Sequence, residues 1–160
     1  MVGTGSNTSY VPYAGLIKKV PDAIDIISAD IYVINEGYEP DAARKVYQEH
    51  IYPTLASHQR VMQVPGLFAD PRLSNETNSK ILLEKVNGFW EWARNDTLVV
   101  GMNPWHWNTW GGTFQKTPQF MLGAREFPAV VDRLHEIGKV IKQHTGGGYG
   151  GRGIMLPDGA

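Results

Sequence analysis

The residues with the most chemical potential lie between Asn103 and Gly112, in NPWHWNTWGG, where Trp105, Trp107 and Trp110 surround His106. A tryptophan presents a flat apolar face that covers the C–H face of a pyranose, while its ring N–H meets a hydroxyl. Three such rings within six residues therefore read as a carbohydrate platform, with His106 placed to hydrogen-bond a hydroxyl or a carboxylate. A packing role stays open beside this one. Along an extended segment Trp105 and Trp107 point to opposite faces, one inward and one toward a covering layer, and His106 reads equally as a satisfied structural histidine.

Carboxylates come next, because glycoside hydrolysis ordinarily needs two of them about 5 to 10 Å apart. Asp30 follows the small residues Ser28 and Ala29 and shares its parity with Tyr32, so both side chains fall on one face of an extended segment. Asp70 is the first carboxylate after the second apolar run. Asp30 and Asp70 are thus the candidate catalytic pair; the alternative for Asp30 is a carboxylate satisfied by a neighbouring backbone or arginine, and for Asp70 a solvated surface residue. Glu36 and Glu39 read as solvated surface residues. His50, His58, His135 and His144 are scattered along helical segments without metal-site spacing. No metal and no cofactor is expected.

These side chains need elements to position them. Three apolar runs rich in β-branched residues, Ile24 to Tyr32, Arg60 to Phe68 and Thr97 to Trp105, suit strands buried on both faces. Between them, Pro40 to His58 places Ala43, Val46, Tyr47, Ile51 and Leu55 on one helical stripe. Asn75 to Arg94 does the same with Ile81, Leu82, Val86, Phe89 and Trp90, and Phe127 to His144 with Val130, Val131, Leu134, Ile137, Val140 and Ile141. Trp90 and Trp92 fall inside a helix and read as packing residues. A further short helix is expected over Tyr10 to Val20. Strands alternating with helices imply a parallel α/β sheet whose site lies on the loops after the strands.

Composition narrows the classes. The 160 residues are 42% hydrophobic and 19% charged, as in one compact domain. Fifteen basic and 16 acidic residues give a formal charge of -1 without blocks of either sign, so no nucleic-acid or membrane partner is expected. No cysteine is present, which excludes disulfides and thiolate metal sites. The start lacks a leader pattern, and three Asn-x-Ser/Thr tripeptides, at Asn7, Asn75 and Asn95, lean weakly toward a secreted parent. The expected organisation is a domain over residues 1–145 and a flexible Gly-rich tail over 146–160.

Taken together, IDIISADIY, RVMQVPGLFAD and LVVGMNPWHWN resemble the last three strands of a (β/α)-barrel glycoside hydrolase. The resemblance implies an α/β fold of parallel β/α units, about the last three of a TIM barrel, with an aromatic sugar-binding face. On it, Asp30 and Tyr32 match the end of the antepenultimate strand and Trp105 and Trp107 the stacking platform. The penultimate strand of such enzymes ends in the nucleophilic carboxylate, whereas this chain reads Val64-Pro65-Gly66-Leu67-Phe68. A complete barrel needs about 250 residues, so the expectation is a C-terminal part, completed by a second chain or other sequence. Two further readings stand beside it: a non-catalytic carbohydrate-binding or scaffold protein, and a phosphate- or nucleotide-binding α/β protein, which lacks a glycine fingerprint between strand and helix.

Overall fold

The computed structural model describes residues 18–32, 39–114 and 117–144. Glu36, most of the Tyr10 to Val20 helix and the 146–160 tail lie outside them; Lys18 to Val20 are not helical. The elements are β1 (Ile26–Ser28), α1 (Glu39–Val46), β2 (Arg60–Gln63), α2 (Asn75–Arg94), β3 (Val99–Met102), β4 (Trp110–Phe114), β5 (Thr117–Met121) and α3 (Pro128–His144). Strands β1, β2 and β3 form a parallel sheet in that order, and β4 and β5 form a separate antiparallel hairpin. The protein is therefore a mixed α/β structure with a small parallel sheet.

Each apolar run contributes a shorter strand than its length suggests. Ile26 pairs with Arg60 and Ser28 with Met62, and the second ladder runs from Val61–Val99 to Gln63–Met102 with an irregularity after Val61. Beyond Gln63 and Met102, Pro65 supplies no N–H for the Asn103 carbonyl, so the regular ladder stops. What continues is one isolated parallel bridge, Gly66 to Trp105.

The first helical stripe is also broken up. After Val46 the turn widens to a π-helical stretch over Tyr47–Ile51 and then tightens into a 3-10 turn, Tyr52–Thr54. Pro53 cannot donate a helical hydrogen bond, and Leu55 is already extended. Ala43, Tyr47 and Ile51 of the stripe are buried. The α2 helix spans the residues its periodicity requires. The Ser74 hydroxyl caps it by accepting the Thr77 N–H at 3.1 Å.

The core lies on one side of the sheet. Val61, Val99 and Leu67 pack with Leu82, Val86 and Phe89 of α2, Tyr47 of the π-helical stretch and Val130 and Ile137 of α3. Trp90 and Trp92 belong to it, buried as packing residues. Alternation then sends Ile26 and Ser28 to the other side, where Ile26 is 49% exposed. Parallel strands are ordinarily covered on both faces. Here the second face is exposed along the edge strand β1 and half-buried along β2 and β3.

Tyr47 ties helix to sheet. Its hydroxyl accepts the Ala29 N–H at 2.8 Å and lies 3.1 and 3.0 Å from the Ala29 and Met62 carbonyls, to either of which it can donate. Burial pushes this phenol up to about 12, opposed by the Ala29 hydrogen bond and assisted by the charge of Asp30.

Candidate functional site

The residues after the three strands gather at one end of the sheet. Trp105 N–H donates to the Pro65 carbonyl at 2.9 Å, and its own carbonyl accepts from Leu67 N–H. Trp105 thereby stands beside Gly66, at the end of β2. The chain then runs against the 3-10 turn Ala124–Glu126: Ala124 N–H donates to the His106 carbonyl at 2.9 Å and Arg125 N–H to the Trp107 carbonyl at 3.2 Å. Trp110 opens β4 opposite Met121.

All three tryptophans of this segment face solvent: Trp105 is 51% exposed, Trp107 45% and Trp110 40%. The one-in, one-out arrangement does not occur. Backbone bonds, rather than burial of the rings, fix the segment, so the rings can be presented outward at a strand end. The Trp105–His106 peptide is cis.

His106 is buried. Its Nδ1 lies 2.6 Å from the Asn108 carbonyl, which can only accept, so Nδ1 is the donor in this contact. The imidazole stands edge-on to Trp105, with centroids 5.1 Å apart at 82°, and 6.4 Å from the Phe68 ring. Phe68 meets Tyr32 edge-on at 5.7 Å. Tyr32, Phe68, His106 and Trp105 are thus linked ring to ring across the ends of all three strands.

A polar border flanks the tryptophans. Thr109 donates to the Glu126 carboxylate at 2.8 Å, Arg125 Nε donates to the same oxygen at 3.1 Å, and Arg125 Nη1 reaches Asn108 Oδ1 at 2.9 Å. The Thr109 hydrogen bond, then that of Arg125, holds the Glu126 carboxyl below its ordinary range. Gly123 is required where the chain turns into this contact. A β-carbon there would sit 2.6 Å from the Asn108 carbonyl oxygen, against backbone that cannot swing aside.

The two candidate carboxylates are separately engaged. Asp30 lies two residues past the end of β1, on the chain's exposed surface. Asp70 is gripped by Arg72, with Nε 2.8 Å from Oδ1 and Nη2 2.5 Å from Oδ2, and this pairing holds its carboxyl below the usual range. Buried Asn78 fixes the Asp70 backbone, accepting its N–H at 2.9 Å and donating to its carbonyl at 3.0 Å.

Glu39, read from sequence as a solvated residue, is instead 1% exposed. Its Oε1 accepts the Gly66 N–H at 2.7 Å and its Oε2 pairs with Lys85 Nζ at 2.8 Å. Lys85 in turn donates to the Gly66 carbonyl at 3.2 Å and lies 5.7 Å from the Phe68 ring centre. Nothing local in Glu39-Pro40-Asp41 distinguishes this residue from an ordinary acidic helix start.

Among the described residues no group of three or more histidines and carboxylates is placed to hold a metal ion, and no helix is long and apolar enough to cross a membrane. No protein-family model matches the chain, and neither the curated proteins nor the solved structures gave a significant match.

Proposed function

We propose that this chain supplies the aromatic carbohydrate-binding face of a glycoside hydrolase-like barrel and does not hydrolyse glycosides by itself. The observation that carries the reading is the exposure of Trp105, Trp107 and Trp110 on one segment at the end of a parallel sheet. Exposed apolar surface of this kind is stabilised by a ligand that is apolar on one face and hydroxylated at its rim. The Asn108–Arg125–Glu126–Thr109 border offers hydrogen-bonding groups beside the rings.

The sheet supports the same reading. Its second face, exposed along the edge strand at Ile26 and half-buried along β2 and β3, would take the place of a barrel interior once further strands closed it. In this reading a second chain, or further β/α units, covers that face and brings the acid and the nucleophile. Asp70, one of the two candidate carboxylates, is committed to Arg72, which favours binding over catalysis.

The test is affinity electrophoresis of the 160-residue chain through gels containing galactomannan, xylan or mixed-linkage β-glucan, with reducing-end release assayed in parallel. The expected result is retardation by at least one polymer, abolished in Trp105→Ala and Trp110→Ala, with no reducing ends released. Free migration in every polymer, or retardation indifferent to both substitutions, would remove the basis of the reading.

A further inference from the structure

We infer that the buried Glu39–Lys85 ion pair is the positioning device of the Trp105 platform, acting through the backbone of Gly66. The inference rests on the proposed sugar-binding role for its functional meaning, while its geometric content stands alone. Both charges grip the same residue: Glu39 Oε1 takes the Gly66 N–H at 2.7 Å, Lys85 Nζ reaches the Gly66 carbonyl at 3.2 Å, and the two charged groups close the ring at 2.8 Å. Hydrogen bonds to ionised groups are the strong ones. The two peptide planes that flank Gly66 are therefore held, the one before it from α1 and the one after it from α2.

Gly66 is also where Trp105 is attached. The regular β2–β3 ladder ends with Asn103 N–H on the Gln63 carbonyl at 2.8 Å, and Pro65 has no N–H to offer the Asn103 carbonyl in return. Past that gap, Trp105 is held by the two backbone bonds of the isolated bridge, to Pro65 and Leu67, the residues on either side of Gly66. A half-exposed tryptophan on a two-bond bridge inherits its orientation from the peptide it is bonded to. The site admits no side chain at position 66, since a β-carbon would lie 2.8 Å from Tyr32 Cδ1 and 3.1 and 3.2 Å from the Glu39 oxygens. The carboxylate fills the space that the missing side chain leaves.

A second route leads from the same pair to the same platform. Lys85 Nζ lies 5.7 Å from the Phe68 ring, within reach of a cation–π attraction, and Phe68 touches both Tyr32 and His106. A buried ion pair is poor evidence of stability, because apolar groups of the same volume often serve as well. Orientation of a backbone bridge is something apolar groups cannot supply. Glu39 and Lys85 touch no ligand in this scheme and are positioning residues.

The experiment uses the chain labelled with 5-fluorotryptophan, its five fluorine resonances assigned by single Trp→Phe variants, and compares Glu39→Gln, Lys85→Met and the double variant. Glu39→Gln keeps an oxygen for Gly66 and is the mildest; the double variant removes both charges without stranding either. The expected result is that the Trp105 resonance shifts or broadens in all three, while those of buried Trp90 and Trp92 stay in place. Retardation by the polysaccharide gels should weaken at least tenfold. An unmoved Trp105 resonance in folded Glu39→Gln and double variants overturns the inference, as does equal movement of Trp90 and Trp92, which would signal general loosening of the core. If the unsubstituted chain binds no polysaccharide, the sugar reading falls, and the fluorine spectra still decide the positioning role.

Discussion

Replacing Tyr47 by phenylalanine removes one oxygen and nothing else, yet that oxygen joins three pieces of backbone. Without it the Ala29 N–H loses its acceptor at the end of β1, and either Ala29 or Met62 loses a donor to its carbonyl. A half-buried backbone donor left unsatisfied and one lost hydrogen bond together cost about 2 kcal/mol. For a chain of this length that is a fall in melting temperature of about 4 to 8 °C. The assay is thermal unfolding followed by far-UV circular dichroism, with urea midpoints as a check. There is also a pH signature. The phenol is raised to about 12 in the folded protein against an ordinary value near 10, so the folded state holds this proton more tightly. Its contribution is fully present below about pH 10 and is lost as pH rises through the folded value, amounting to about 1 kcal/mol near pH 11. The gap between the parent chain and Tyr47→Phe should therefore narrow above pH 10. A melting shift under about 2 °C at neutral pH, or a gap constant up to pH 11, would refute the reasoning that this hydroxyl is buried and doubly engaged.

Two further outcomes follow from the site's geometry. Gly123→Ala should lower stability by about 1 to 3 kcal/mol through forced backbone displacement and change the near-UV dichroism of the tryptophans, because its β-carbon meets the Asn108 carbonyl oxygen at 2.6 Å; a silent near-UV spectrum would contradict that contact. Arg72→Ala should raise the Asp70 carboxyl, read by NMR titration, back toward its ordinary range, since the Arg72 hydrogen bonds are the main cause of its lowering. The stabilisation from this pair is present at neutral pH and is lost as pH falls through the lowered folded value, so the parent and the variant should converge in acid.

The sequence made some of this legible and concealed the rest for definable reasons. Helix α2 was readable because its apolar stripe repeats at three and four residues over its whole length. The alternation of β1, β2 and β3 with α1, α2 and α3 was readable from periodicity in the same way. Strand lengths were not, since a ladder needs N–H groups from both partners and Pro65 withholds one from the Asn103 carbonyl. The β4–β5 hairpin was missed because Gly111, Gly112 and Pro118 all argue locally for a loop. Pro118 nevertheless sits opposite Thr113 in the two-stranded ribbon. The tryptophans announced themselves by spacing. Glu39 did not, because its burial is created by Gly66, 27 residues away.

The parallel sheet has a consequence for the order in which the molecule is built. Ile26 pairs with Arg60 and Val61 with Val99, so each ladder closes more than thirty residues of chain before its first contact is rewarded. Such pairings are intrinsically slow, whereas a capped twenty-residue helix such as α2 forms from neighbours alone. The Gly66–Trp105 bridge lies beyond the far end of the slower ladders, and the Trp107 and Trp110 contacts lie beyond that bridge. By the same measure the tryptophan strip is of mixed range: the Gly66–Trp105 bridge joins distant segments, whereas Trp110 pairs with nearby Met121 in a hairpin that neighbours alone can form. Docking of that hairpin at the sheet end, and not its formation, is the step that depends on the long ladders.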